Sequence, residues 1–348
     1  MQPTTALLLL LSGLAHAAPQ NRNNNNNNNN NAAAANTPFL GTTTLSTDGL
    51  STIFTTTTTI SNIPLRVQIS APLALFTTQT NLTGARAAPL SASPLGLHLL
   101  LHGDGGQSFF DFPNQADPSS ASPLIGVVVL APSENLLWGQ RTGPPSGLDR
   151  PDGAADAQLL ATLVSDVLPR MVAFDADNVF FTGVSGGALL LSGFFVPAHL
   201  AEFPGAKGVL LMCGALAPQV RVVGAGGFIG TSKIHFQSTK GELVSLQGAI
   251  PEAIKAYEGL AVSAGLGVGE IGALQTVDNT PAGGHCEFDG RGFVSGIQLV
   301  ADNFGRIMQG GDGVVRGISR QSVLRSVVGN EDLVFDDALA KRGEGVVV

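Results

Sequence analysis

Apolar residues along this chain fall into short continuous runs, separated by polar, glycine-rich turns and by stretches with helical spacing. Leu65-Arg66-Val67-Gln68-Ile69 alternates and predicts a half-buried strand. Before it, the Thr-rich segment 42–59 has two readings, a stalk carrying O-glycans or a pair of strands. Thr is β-branched, and Leu50-Ser51-Thr52-Ile53-Phe54 adds apolar weight, so strands are expected from about Leu50 onward. From Leu95 the pattern becomes strand, loop, helix, repeated. Apolar runs at 97–101, 125–130, 208–213, 234–238 and 271–277, and the start of the stretch 178–187, predict buried strands. Between them, Leu159, Leu160, Leu163, Val164, Val167 and Leu168 share one helical face. A second helix, after residue 185, is apolar all round and should be buried, with Pro197 ending or kinking it. Further helices are expected over 253–264 and 293–304.

Strands that are apolar on both sides, alternating with helices, mean a mostly parallel sheet covered on both faces. The expected class is α/β, with two antiparallel strands at the N-terminal side. The expected organisation is a signal peptide over 1–17, a low-complexity segment over 18–47, a catalytic domain over 48–309, and a C-terminal extension over 310–348 that the pattern does not place.

The first residues read as an address. Ala6 to Ala15 is a short apolar run, and Ala15-His16-Ala17 is a small-residue cleavage site. Ten apolar residues are too few to span a bilayer, and no later stretch reads as a span. The run Asn23 to Asn31 and the alanines after it have no apolar face. Together these predict a secreted, extracellular protein. Asn81-Leu82-Thr83 is an N-glycosylation sequon on an exposed loop. The formal net charge of −8 argues against nucleic acid or an anionic membrane as partner. A single Trp and a single Tyr argue against an extended aromatic platform for sugars or bases.

Chemistry enters at Gly183-Val184-Ser185-Gly186-Gly187, a G-x-S-x-G pattern between an apolar strand and an apolar helix. A serine on such a turn is held in strained geometry, with small residues two before and two after it. The helix N-terminus behind it favours developing negative charge. Ser185 is therefore the candidate nucleophile. A rival motif, Gly224 to Gly230, carries G-x-x-G-x-x-G. Nicotinamide binding would need a helix directly after it, whereas Thr231 to Ser238 reads as a strand. Tyr257 also lacks a lysine four places on, so this stretch is read as a loop.

Leu-Leu-Leu-His-Gly-Asp-Gly-Gly at 99–106, Thr-Gly-Val-Ser-Gly-Gly at 182–187 and Gly-Gly-His-Cys at 283–286 occur in order on the expected elements. In these motifs the chain resembles the α/β-hydrolases. Among them it is similar to secreted fungal serine esterases of the polyhydroxybutyrate-depolymerase and feruloyl-esterase-like group, over about Leu95 to Phe304. The resemblance implies ester cleavage through an acyl-enzyme by a monomer. No cofactor or metal is implied, and the substrate would be a small-molecule or polymer-borne ester (phenolic, acetyl or short polyester). Peptide cleavage is a variant of this reading. The alternative is a non-catalytic, wall-associated interaction protein on the same scaffold.

The resemblance also distributes roles. The chain order is Ser, then acid, then His. Of the histidines after Ser185, His199 lies late in a helix and His235 inside a strand, which leaves His285 as base. Glu242 is the expected acid, although relatives often carry Asp thereabouts; Asp278 is its competitor. The oxyanion donors should be the backbone N–H groups of Gly186 and Asp104. Trp138, Phe109 and Phe110 are candidates to line the substrate pocket. Given this fold, Cys286 is carried with His285 over the end of the strand holding Cys213. A disulfide between these two, the only cysteines, is expected.

Overall fold

The computed structural model describes residues 37–46, 49–86, 93, 95–106, 123–143, 147–318 and 321–343. The expected signal peptide, the Asn/Ala run and the pocket candidates Phe109 and Phe110 lie outside the described residues. Ten strands form one sheet. They are β1 (Gly41–Leu45), β2 (Thr52–Ile60), β3 (Ile63–Ala71), β4 (Gly96–Leu101), β5 (Leu124–Val129), β6 (Val179–Val184), β7 (Ala206–Met212), β8 (Lys233–Gln237), β9 (Gln275–Asp278) and β10 (Arg325–Ser326). Their spatial order is β1-β2-β3-β5-β4-β6-β7-β8-β9-β10. From β5 to β9 every pair is parallel, and β1, β2 and β3 join antiparallel at one edge. The expected class, a mostly parallel sheet with helices on both faces, is the one found.

The central strands are buried end to end because both faces are covered. Leu97, Leu99 and Leu101 of β4 face one apolar cluster. It is roofed by α1 (Gly153–Thr162), by the helix that α2 (Gly186–Leu190) begins, and by α3 (Val244–Ser263). Leu100 faces the other cluster, under α5 (Phe293–Asp302) and α6 (Phe304–Met308). A short α4 (Val268–Leu274) precedes β9.

Four elements differ from the sequence pattern. The antiparallel edge holds three strands rather than two, because the Thr-rich stretch 41–45 pairs with β2 although all its residues are exposed. The run expected as a strand over 271–277 is helical to Leu274 and extended only from Gln275. Pro197 does not end its helix. A π turn over Leu191–Phe195 resets the hydrogen-bond ladder ahead of it, and the helix continues to His199. The same device, Leu163–Val167, precedes Pro169 in the helix begun by α1. Finally, much of the unplaced C-terminal segment is part of the domain. Val315, Ile318 and Val323 are buried in the second cluster, β10 pairs with β9, and α7 (Asp337–Gly343) follows. Among the described residues no helix is long and apolar enough to cross a membrane.

His98, His102 and His235 are fully buried. Burial pushes His98 down to about 3 and His102 and His235 down to about 4. His98 is held through Nε2 by the Thr182 hydroxyl at 2.7 Å. The unfolded chain titrates near 6.5, so below that pH it binds protons that the folded chain refuses. Stability should then fall by up to about 1.4 kcal/mol per pH unit per histidine as pH drops from 6.5 toward 4. Thermal unfolding between pH 7 and 4.5 measures this. The slope should be shallower in His98→Gln; an equal slope would show that burial does not hold the His98 pKa below its unfolded value.

Candidate active site

The described candidates for catalysis, oxyanion binding, the pocket and the disulfide lie at or beyond the carboxyl ends of the parallel strands. His102-Gly103-Asp104 follows β4, Ser185 follows β6, Cys213 follows β7, Glu242 follows β8 and His285 follows β9. The strand order reverses around β4, which is where an open α/β sheet leaves its crevice.

Ser185 stands at the end of β6 with φ 49° and ψ −115°, a region L-residues rarely adopt. Its own N–H donates to Met212 O at 2.8 Å, and its carbonyl accepts Leu189 N at 3.0 Å. The turn closes only because its flanks lack side chains. A Cβ on Gly183 would lie 2.5 Å from the Gly187 carbonyl group, and one on Gly187 would lie 2.6 Å from Leu101 O. The small residues of the motif are thus a condition for strand and helix to meet.

His285 Nε2 is 2.9 Å from Ser185 Oγ, and its Nδ1 bonds Glu242 Oε1. A carboxylate only accepts, so Nδ1 carries the proton and Nε2 presents a lone pair to the serine hydroxyl. Two loops bring this about by zipping together. Thr239 Oγ1 donates to Gly284 O at 2.8 Å, Lys240 N to Pro281 O at 2.8 Å, and Gly241 N to Gly283 O at 2.9 Å. Glu242 is fully buried, and its Oε1 also accepts Leu243 N at 3.0 Å. Its other oxygen, Oε2, has no partner among the described residues.

The competitor acid is occupied elsewhere. Asp278 accepts from Gln237 Nε2 at 3.0 Å and from the Thr280 hydroxyl at 2.8 Å. His235 belongs to the same buried chain, donating toward Gln237 Oε1 and accepting from the Thr276 hydroxyl. His199 pairs with Glu202.

The loop after β4 is anchored by its histidine. Ala131 N donates to His102 Nε2 at 2.8 Å, so the other ring nitrogen carries the proton and donates to Gly103 O. Trp138 stacks near this ring, and its Nε1 donates to His102 O at 3.0 Å. The N–H of Gly186 opens a helix, so it has no acceptor within that helix. The N–H of Asp104 has none among the described residues. Neither expected oxyanion donor thus has an acceptor for its N–H among the described residues.

Trp138 is fully buried, and its Nε1 donates to the His102 carbonyl, so its ring braces the loop after β4. Among the described residues, the ring of Phe293, the first residue of α5, borders the site. A Cβ on Gly103 would be 3.2 Å from its Cζ and 3.4 Å from Ser185 Cβ. Its centroid lies 5.8 Å from that of His285. Its place at the start of the last amphipathic helix, soon after the base, was the available sequence signal.

Cys213 and Cys286 form the expected disulfide, with Cα atoms 5.5 Å apart and both residues fully buried. It ties the end of β7 to the residue after His285. Replacing both cysteines by alanine should cost about 2–4 kcal/mol of stability. It should also lower turnover, because His285 loses its covalent anchor. Denaturant unfolding with parallel kinetics checks this; an unchanged midpoint would remove the bond from the stability account. The acid loop is braced from the C-terminal segment as well: Asp336 N donates to Lys240 O at 2.7 Å, and Leu339 packs on Gly241. Asn81, in the sequon, is exposed at a left-handed turn.

Neither a family model nor a curated protein matches the sequence. Among solved structures, the chain is similar to a putative dienelactone hydrolase from Klebsiella pneumoniae, at 11% identity and TM-score 0.42, over 73% of this chain and 99% of that one. It is also similar to a vibralactone cyclase, at 11% identity and TM-score 0.46, over 76% and 82%. A ferulic acid esterase from Streptomyces cinnamoneus is 16% identical with TM-score 0.38, over 83% and 85%. The strand order and register, rather than these scores, define the fold.

Proposed function

We propose that this chain, an α/β-hydrolase by its strand order, is a serine hydrolase that cleaves carboxylic esters at Ser185. The single observation that carries the reading is the continuous line of hydrogen bonds from buried Glu242 through His285 to a hydroxyl on a strained turn. His285 takes the Ser185 proton as the oxygen attacks the ester carbonyl. The tetrahedral oxygen accepts from the N–H groups of Gly186 and Asp104. Collapse expels the alcohol, which receives the proton from His285, and leaves an acyl-serine. Water then repeats the cycle with the same base. Glu242 keeps the imidazole in the right tautomer and balances the imidazolium charge.

Phe293 supplies an apolar face beside the reacting atoms, which favours esters with an aromatic or short alkyl group. Phenolic esters fit this face, and acetyl or short polyester substrates remain within reach of it. The buried disulfide, the short apolar leader and the exposed sequon at Asn81 support a secreted, glycosylated protein. The test is a panel of p-nitrophenyl acetate, p-nitrophenyl butyrate and methyl ferulate. Hydrolysis of at least one supports the reading; inertness toward all three contradicts it.

A further inference from the structure

The second expected oxyanion donor is an aspartate, and its carboxylate lies where a negative charge is least welcome. A Cβ added to Gly186 would overlap Asp104 Oδ1, so the carboxylate rests against the Cα of the residue that donates to the oxyanion. Among the described residues, Oδ1 accepts only a long bond from Trp138 N, at 3.4 Å. Oδ2 accepts from Arg150 Nη2 at 2.6 Å. The Arg150 side chain is 3% exposed and that of Asp104 19%. Water therefore screens this pair poorly, and charges near it act strongly on one another. Arg150 also donates from Nη1 to Trp138 O at 3.2 Å, and Trp138 in turn holds the His102 carbonyl.

We infer that Arg150 is a positioning residue that neutralises Asp104 and thereby lets the oxyanion form beside it. This rests on the esterase reading proposed above. Without the guanidinium, the Asp104 carboxylate would repel the alkoxide that develops at the N–H groups of Gly186 and Asp104. The repulsion acts on the transition state and hardly on the neutral substrate, so it belongs in kcat rather than KM. The pair also fixes the loop. One end of Arg150 holds the Asp104 side chain, and the other holds the backbone of the indole that props the loop.

The test compares Arg150→Met, Arg150→Lys and the double variant Asp104→Asn with Arg150→Met. Arg150→Met should lower kcat on the order of a hundredfold with KM little changed. The double variant should recover most of that loss, because it removes the carboxylate that lost its partner. Arg150→Lys keeps the charge, gives up the second bond, and should lose about tenfold or less. A purely structural arginine would show no recovery in the double variant. If Arg150→Met fails to fold, Arg150→Lys still decides: it should keep kcat within about tenfold of wild type. The inference is overturned by an Arg150→Met protein as active as wild type, by a double variant no better than Arg150→Met, or by an Arg150→Lys protein that loses a hundredfold. Wild-type protein inert toward every ester would overturn the esterase reading and this inference together.

Discussion

Ser185→Ala should reduce ester hydrolysis on the order of 10⁴- to 10⁶-fold while leaving the fold intact. Removing Oγ takes away the atom that bonds carbon, and no other hydroxyl is hydrogen-bonded to His285 among the described residues. The backbone bonds that hold the turn, Ser185 N to Met212 O and Leu189 N to Ser185 O, do not involve the side chain. Alanine meets the same strain at φ 49° as serine does, so the unfolding midpoint should move little. Steady-state kinetics with a thermal melt on the same sample separates the two effects. A variant that keeps wild-type turnover would mean that the line of hydrogen bonds is not the catalytic machinery.

Glu242→Gln should lower kcat on the order of 10⁴-fold, by one of two routes. If the amide oxygen keeps both Leu243 N–H and His285 Nδ1–H, the imidazolium loses its balancing charge. If the amide turns its NH₂ to Nδ1, the imidazole takes the tautomer that points a proton at the serine and cannot accept one. Asp278→Asn, by contrast, should leave kcat within a few-fold, since Asp278 bonds Gln237 and Thr280 rather than the base. The reverse result, with Asp278→Asn crippled and Glu242→Gln active, would transfer the acid role to Asp278.

The parts of this protein that were legible in its sequence are those dictated by local pattern. Apolar runs such as 97–101 and 208–213 are strands because a strand buried on both faces needs no polar positions. The G-x-S-x-G turn was legible because sterics allow few residues there. The two candidate acids stayed open because chain order permits both. Only the register of β8 on β9, and the bonds from 239–241 to 281–284, bring Glu242 rather than Asp278 to His285. Trp138 was placed on the correct edge, but nothing local says that its ring turns inward to the His102 carbonyl. The pairing of Asp104 with Arg150 spans 46 residues and has no periodic signature. The C-terminal segment was illegible for a related reason. β10 has two residues, too short for any alternation to register, and its partner β9 lies far back in the chain.

The most direct measurement is covalent labelling by a fluorophosphonate, which reacts with a serine only when a base has activated it. Intact mass followed by peptide mapping should find one phosphonyl adduct on the wild-type protein, located at Ser185, formed in step with loss of ester hydrolysis. Glu242→Gln should label far more slowly. A protein that hydrolyses esters yet carries no adduct at Ser185, or carries it on another residue, would contradict the account.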